Sequence, residues 1–319
     1  MENRASASCQ SVLIAMFLGA VFVPTLSMSA DNLDSVTVQA RDREKLKHDV
    51  NEFVATAIVQ SHNNESLERW TYAPVCPLVA GVGQAQGEFM LGRLSQIAQA
   101  AGVQIAGEKC SPNFYVIISA DPGPALKKWT RHPAAFNYET GTEFRHFVDT
   151  PRPVRVWYNE GATGIDGAGM VSAILDTSSI HAKKFANANG TEPVINQMPS
   201  QYGSRLNVST VTKDILSVIV VVDSNKVNGL NIGQLADYIG VVGLAHVDLD
   251  KDTHEAPTIL SLFRYADDAR PMGMTLWDKA LLHALYSTPQ KNRMQLSEMQ
   301  SAALRDISSY AASNVNLKN

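Results

Sequence analysis

The sequence has little cysteine and no strong excess of either charge. Only three of its 319 residues are cysteines, and 27 basic residues against 31 acidic ones give a net charge of −4. The basic residues are not clustered, since Lys127-Lys128 and Lys183-Lys184 are isolated pairs. Nucleic-acid-binding domains concentrate Lys and Arg on one face. The sequence therefore predicts no nucleic-acid partner.

Long apolar runs are absent after the first 30 residues. The longest later run covers residues 218–222 and predicts a buried β-strand. A membrane-spanning helix needs about 20 mainly apolar residues. We therefore expect no membrane span in this part of the chain.

Familiar catalytic and metal-binding motifs are also missing. The chain has no Gly-x-Ser-x-Gly and no Ser-x-x-Lys sequence, either of which sets a nucleophilic hydroxyl beside the groups that activate it. Its eight histidines form no His-x-His and no His-x-x-x-His pair, the clustering typical of zinc sites. The sequence thus predicts no catalytic residues, no metal and no cofactor. A distant trio such as Ser217, His246 and Asp248 is an alternative, although any chain of this length offers such trios.

The first 30 residues have the order of a secretory signal peptide. Arg4 precedes an apolar core at residues 11–23, Pro24 interrupts that core, and small residues follow up to Ala30. The core is too short for a membrane span, which needs about 20 residues. We expect cleavage after Ser29 or Ala30 and a periplasmic or secreted protein. A buried N-terminal helix is the alternative.

Export leaves two cysteines in the mature chain. Cys9 precedes the apolar core and is removed with the signal peptide, so Cys76 and Cys110 remain. In an oxidising compartment an isolated pair is more often a disulfide than two free thiols. Zinc binding by this pair alone is disfavoured, because a structural site needs four ligands.

The pattern of elements predicts an α/β (α+β) protein with a mixed sheet, flanking helices and a helical C-terminal third. We divide the chain into the signal peptide (1–30), an N-terminal α/β region with the disulfide (31–150) and a C-terminal region with strands, a central helix and terminal helices (151–319). Apolar periodicity predicts helices over residues 42–60, 86–101, 126–130, 232–246, 258–264, 276–286 and 297–312. It predicts strands over residues 114–118, 154–158 and 207–222, the last as a hairpin or two joined strands.

Three local features refine this picture. Thr275 with Asp278 and Ser297 with Gln300 have the spacing of capping boxes, which predicts helix starts at both places. Residues 159–203 are rich in small and polar residues and predict a surface excursion or a flap.

The helix at 232–246 carries a frame that can be compared with zinc proteases. Those enzymes use H-E-x-x-H-x-x-G, because residues four apart present two imidazoles to one metal. The corresponding residues here are Gly233, Gln234, Asp237 and Gly240, so only the glycine is retained and an amide replaces the general base. His246 continues the apolar stripe and is interpreted as a satisfied histidine at the helix C-terminus.

Two blocks of sequence carry a resemblance to a known family. The first contains Pro74-Val75-Cys76-Pro77, Gly81, Arg93, Ile97-Ala98 and Cys110-Ser111-Pro112-Asn113, and the second contains residues 258–263 and 276–286. Together they resemble an uncharacterised family of exported proteins from Gram-negative bacteria, of the Caulobacter and Sphingomonas kind. The second block is also similar to the end of another exported family that has a zincin-like His-Glu helix. The resemblance implies a degenerate zincin-like arrangement without the metal ligands.

We therefore expect a non-catalytic binding protein of the cell envelope, whose partner is an unknown protein or small ligand. The candidate ligand-binding residues form one face of helix 232–246 and are Gln234, Asp237, Gly233 and Gly240. That face is expected to border a groove. The alternative is that the glycines allow close packing and Asp237 bonds a backbone amide. A secreted hydrolase with a non-standard active site and a structural envelope component are the other functional hypotheses.

Overall fold

The computed structural model describes most of the chain beyond the predicted signal peptide. The described residues are 30–60, 66–129, 136, 141–164, 169–170, 211–253, 256–264, 270–290 and 294–316. The signal peptide and most of the connection expected over residues 159–203 lie outside these ranges. The chain divides into two compact units, Met1–Arg43 and Glu44–Asn319.

The larger unit is built around a mixed sheet, which confirms the predicted α/β class. Its strands are β1 (Pro77–Ala80), β2 (Phe114–Ser119), β3 (Val154–Gly164), β4 (Gly169–Met170) and β5 (Val211–Asp223), in the order β1-β2-β5-β3-β4. Strands β1, β2 and β5 run parallel, whereas β3 is antiparallel to both β5 and β4. Because β5 lies between β2 and β3, the N-terminal and C-terminal regions share one sheet.

Seven α-helices and a short 3₁₀ turn complete the described part of the fold. The helices are α1 (Ala30–Ala57), α2 (Gln84–Ala100), α3 (Gly123–Trp129), α4 (Gly141–Asp149), α5 (Ile232–Leu244), α6 (Leu276–Ser287) and α7 (Gln295–Asn316). The 3₁₀ turn covers Ile259–Ser261, inside the segment predicted to be a helix over 258–264. Among the described residues, no helix is long and apolar enough to cross a membrane.

Apolar side chains cover both faces of the sheet. In β2 every second residue is buried, and Phe114, Val116 and Ile118 join the main core with residues of α2, α5, α6 and α7. Tyr115 and Ile117 point to the other face and pack against a second cluster. That cluster brings residues of α3 and α4 against β3 and β5, and its buried members are Leu126, Phe136, Phe144, Phe147, Val148, Trp157, Ile219 and Val221. The sheet therefore has an apolar layer on each side, as a two-faced buried sheet requires.

The turn between β1 and α2 can be made only with glycine. Gly81 has φ +91°, and a Cβ atom there would lie 1.9 Å from the carbonyl oxygen of Ile118. Both the backbone angle and the close approach exclude larger residues. The glycines at the start of α2 thus serve the turn into a helix.

One of the two expected capping boxes is present. Thr275 accepts a hydrogen bond from the backbone of Asp278 and its own backbone donates to the Asp278 carboxylate, so α6 begins as predicted. The expected box at Ser297 is wrong, because α7 already begins at Gln295. The Gln300 side chain instead donates to the Asn51 carbonyl oxygen at 2.9 Å. The Gln300 side chain therefore makes a tertiary contact in place of the expected capping box with Ser297.

Residues 207–222 were expected to form a hairpin or two joined strands. The described part, from residue 211, forms the single long strand β5, which pairs with β2 on one side and β3 on the other. Helix α5 begins at Ile232 as expected and ends at Leu244, two residues before His246. The helix ends there because Ala245 has an extended backbone, with φ −129° and ψ 139°.

Candidate functional site

The residues expected to bind a ligand on α5 are engaged in contacts within the protein. Gln234 is 8 % exposed; it closes the N-terminal capping box by accepting from the Asn231 backbone at 3.0 Å, and donates to the Pro271 carbonyl at 2.7 Å. Asp237 is 3 % exposed and accepts from the Met274 backbone at 2.7 Å. Both polar groups therefore support the local fold.

Asp237 also forms an ion pair across the helix interface. Its carboxylate accepts from Nε of Arg93 at 2.5 Å and from Nη2 of the same guanidinium at 3.0 Å. This two-point contact is the strong geometry for an arginine and a carboxylate. The hydrogen bond to Asp237 raises the pKa of Arg93 above its ordinary value.

The glycines on this helix allow another helix and a strand to approach closely. A Cβ atom at Gly240 would lie 2.6 Å from Cδ1 of Ile97 in α2, and one at Gly243 would lie 2.0 Å from Cζ of Phe114 in β2. A Cβ at Gly233 would meet the Asn231 side chain at 3.2 Å. The expectation of a groove along this face is corrected: α2 and residues 270–274 fill the space, as the close-packing alternative describes.

Two cysteines, Cys76 and Cys110, lie at disulfide distance. The Cα atoms of Cys76 and Cys110 are 6.0 Å apart, within the range that a disulfide spans. Cys76 immediately precedes β1, and Cys110 lies in the loop before β2. The pair therefore joins the segments that immediately precede two neighbouring parallel strands.

A different group of side chains converges elsewhere in the fold. One ligand atom each from Glu68, Glu160 and His246 lie within 4.8 Å of one another. Glu68 is on an extended segment that lies along β5, where Arg69 accepts from the Ile215 backbone at 2.9 Å. The other two residues come from an irregularity in β3 and from the loop after α5.

Both glutamates of this cluster contact the same imidazole nitrogen of His246. Nδ1 of His246 contacts Oε2 of Glu68 and lies 3.1 Å from Oε1 of Glu160. Nζ of Lys213 lies 3.6 Å from the other oxygen of Glu68. Two carboxylates thus face an imidazole and an ammonium group.

Tyr158 fixes the position of the imidazole. Its ring centroid lies 4.2 Å from that of His246. Its hydroxyl donates towards the carbonyl oxygens of Val242 at 2.5 Å and Ala245 at 3.1 Å, and accepts from the Val247 backbone at 3.3 Å. The tyrosine therefore holds both the end of α5 and the turn that carries the histidine.

Burial and mutual charge separate the pKa values of the three groups. Burial alone would raise the pKa of Glu68, but hydrogen bonding and charge from His246, with help from Lys213, bring it below its ordinary value. Burial raises the pKa of Glu160, and the negative charge of Glu68 raises it further. Burial would lower the pKa of His246, but hydrogen bonds to the two glutamates raise it to about 9. His246 therefore keeps its proton up to about pH 9, and Glu68 ionises more readily than Glu160.

Solvent reaches one side of the cluster. The Glu160 side chain is 33 % exposed and that of His246 is 20 % exposed, whereas Glu68 is 8 % exposed. A small ion or molecule has access to the two outer groups. A buried glutamate behind them gives the site a fixed negative charge.

Sequence reasoning missed this cluster. Neither Glu68 nor Glu160 was singled out, and His246 was interpreted as a satisfied histidine at a helix end. The three residues belong to separate segments, so no spacing motif connects them. The alternative trio is not assembled in the described structure: Ser217 accepts from the Asn159 side chain at 2.7 Å, and the His246 imidazole contacts the two glutamates.

No family model, no curated protein and no solved structure matches this chain. The resemblance to exported families, including the distant zincin-like one, therefore stays a prediction.

Proposed function

We propose that this protein is an exported binding protein that holds a divalent transition-metal ion at Glu68, Glu160 and His246. The observation that carries the proposal is the convergence of one imidazole nitrogen and two carboxylate oxygens within 4.8 Å of one another. This proposal departs from the sequence-based expectation that the protein binds no metal. Export rests on the signal-peptide pattern and on the cysteine pair at disulfide distance.

The donor set suits a borderline metal such as Zn²⁺. Zinc binds histidine nitrogen and carboxylate oxygen at about 2.0–2.2 Å, so tetrahedral ligand atoms lie about 3.4 Å apart. Nδ1 of His246 and Oε1 of Glu160 are already 3.1 Å apart, and the direct His246–Glu68 contact would have to open to admit the ion. Three protein ligands leave a fourth position for water or for a ligand group, which solvent can reach through Glu160.

Charge balance predicts how a metal would compete with protons. Without a metal, the imidazolium of His246 and Lys213 offset the carboxylates. A divalent ion requires neutral His246 and ionised Glu160, so its binding releases protons. Because the pKa of His246 is raised to about 9, metal affinity should increase as the pH rises towards that value.

Metal titration of the mature protein tests the proposal. Zn²⁺ and Mn²⁺ are added to metal-free protein in a calorimeter, and elemental analysis measures the metal that remains after purification. His246→Gln and Glu160→Gln should each weaken binding by at least about tenfold, the scale of losing a ligand or its support. His283→Gln is a matched control, because His283 forms an exposed pair with Asp306 at 2.7 Å.

Two results would contradict this function. Metal-free protein that neither binds these ions nor gains thermal stability from them would leave the cluster as an internally neutralised ion network. Cytoplasmic protein that retains Met1 would remove the export part, since mature periplasmic protein should begin at Ala30 or Asp31.

A secreted hydrolase is the second candidate. It is favoured by the opposite pKa shifts of Glu68 and Glu160, because general acid–base chemistry uses carboxyl groups whose environments differ. Peptide, ester and glycoside substrates are tested with the zinc-loaded protein. Turnover that Glu160→Gln abolishes while zinc stays bound would favour the hydrolase; metal binding without turnover favours the binding protein.

A further inference from the structure

A second site lies between α5 and the chain that follows it. A cavity of about 240 Å³ is lined by Tyr238 of α5 and by residues of the 247–264 segment, with Arg152 to Val154 at the start of β3. Its lining shares no residue with the Glu68, Glu160 and His246 cluster. The inference drawn from it is independent of the proposed metal site.

Two guanidinium groups line this cavity. Arg152 pairs with Asp250, and Arg264 lies 3.0 Å from Asp252 through Nη1. The aspartate side chains are 61 % and 58 % exposed and do not line the cavity. Arg152 and Arg264 are close enough for their positive charges to repel each other. A guanidinium has five N–H donors, so each arginine retains donors for an anion.

A buried hydroxyl in the lining lacks a partner. Thr253 is 5 % exposed, and its Oγ1 has no hydrogen-bond partner among the residues that the structure describes. Leaving such a group unsatisfied costs about 1–3 kcal/mol, and native proteins rarely retain one without a reason. Its Oγ1 has almost no accessible surface, so it does not meet an occupant of the cavity, and the Thr253 side chain serves as part of the wall.

The lining also holds the ion pair of Lys251 with Asp248, 3.3 Å apart, and an aromatic and aliphatic wall. The Tyr238 and Phe263 rings meet edge to face with centroids 4.9 Å apart, and Leu260 lies beside them in the lining. Burial raises the pKa of Tyr238, so its hydroxyl keeps its proton and can donate. An occupant therefore meets hydrogen-bond donors and an apolar wall in the same space.

We propose that this cavity binds the carboxylate of a small organic molecule whose apolar body is about the size of one ring. The carboxylate pairs with Arg152 and Arg264, since guanidinium forks match planar carboxylates. The body of the ligand packs on Phe263 and Leu260. The volume lies just below the roughly 300 Å³ at which pockets for drug-sized ligands begin, which fits a single ring.

Benzoate is the probe, and calorimetry with fluorine NMR of a fluorinated benzoate measures its binding to the mature protein. Saturable binding is expected at millimolar concentration or below, and benzamide, which has the same shape without the charge, should bind at least about tenfold more weakly. Inorganic phosphate tests the anion without an apolar body. Phosphate binding without benzoate binding, or equal binding of benzoate and benzamide, would overturn the proposal.

Substitutions locate the binding. Arg152→Gln removes one of the two guanidinium groups and should weaken benzoate binding about tenfold, which corresponds to about 1.4 kcal/mol. Arg264→Gln should weaken it at least as much. Arg145→Gln is the control, because Arg145 is exposed and, among the described residues, hydrogen-bonds only within its own helix α4. Unchanged benzoate affinity in Arg152→Gln and Arg264→Gln, both folded, would overturn the proposal.

Discussion

The guanidinium of Arg93 in α2 donates two hydrogen bonds, of 2.5 Å and 3.0 Å, to the carboxylate of Asp237 in α5. The same carboxylate accepts from the backbone of Met274, before α6. One buried side chain thus connects three parts of the fold. Its neighbours leave no room beside it, since a Cβ at Gly273 would lie 2.8 Å from the carboxylate.

Removing this carboxylate should destabilise the protein. Asp237→Ala leaves the Met274 amide and the Arg93 charge without their partner; because Asp237 is buried but Arg93 is 37 % exposed, we expect a loss of about 1–3 kcal/mol. Chemical denaturation measures the free energy of unfolding. Asp49→Ala is the control: Asp49 pairs with Lys45 at 2.7 Å on the surface, where such pairs contribute less than about 1 kcal/mol. Equal losses in the two variants would contradict a structural role for Asp237.

The Cys76–Cys110 pair should be oxidised in exported protein. Mass spectrometry without reductant is expected to find no alkylatable thiol in native material. The pair closes a loop of sequence separation 34, for which the chain-entropy model gives about 4 kcal/mol. Cys76→Ser should therefore lower the free energy of unfolding by several kcal/mol. Two free thiols in native exported protein would contradict the bridge.

Elements whose signals are local were predicted well from the sequence. Strand β2 and the start of α5 follow from short apolar runs and turn residues, and α6 starts at the capping box that its sequence contains. Ser297 and Gln300 have the same capping-box spacing, but no helix begins there. The box does not form because Gln300 finds a partner in α1, which no local pattern reveals.

The Glu68, Glu160 and His246 cluster could not be predicted for the same reason. Glu160 reaches it through an irregularity in the pairing of β3 with β5, and Glu68 reaches it through a segment bridged to β5 at Asp214. These are pairings between distant segments. The residues at the zinc-protease spacing on α5 can be identified in the sequence. Their burial depends on the packing of helix α2, which no local pattern reveals.

Stability should fall between about pH 6.5 and pH 9 because of His246. Its pKa is raised from 6.5 to about 9 in the folded protein, so its contribution is complete below pH 6.5 and is lost as the pH rises through 9. The loss is up to about 3 kcal/mol. Denaturation curves at several pH values measure it. His246→Gln should flatten the dependence in this range, whereas the exposed His283→Gln should leave it intact.

Restoring the zinc-protease frame on α5 should give no zinc site. The triple variant Gly233→His, Gln234→Glu and Asp237→His places ligand types at the required spacing. However, it removes the side-chain donor to the Pro271 carbonyl and the ion-pair partner of Arg93, on a face that α2 covers. We expect lower stability and no gain in zinc affinity over the parent protein. To separate packing from chemistry, the comparison is repeated with His246→Gln in both backgrounds, which removes the proposed native site. A folded triple variant that then binds zinc more tightly than its matched parent would show that the frame is a former metal site.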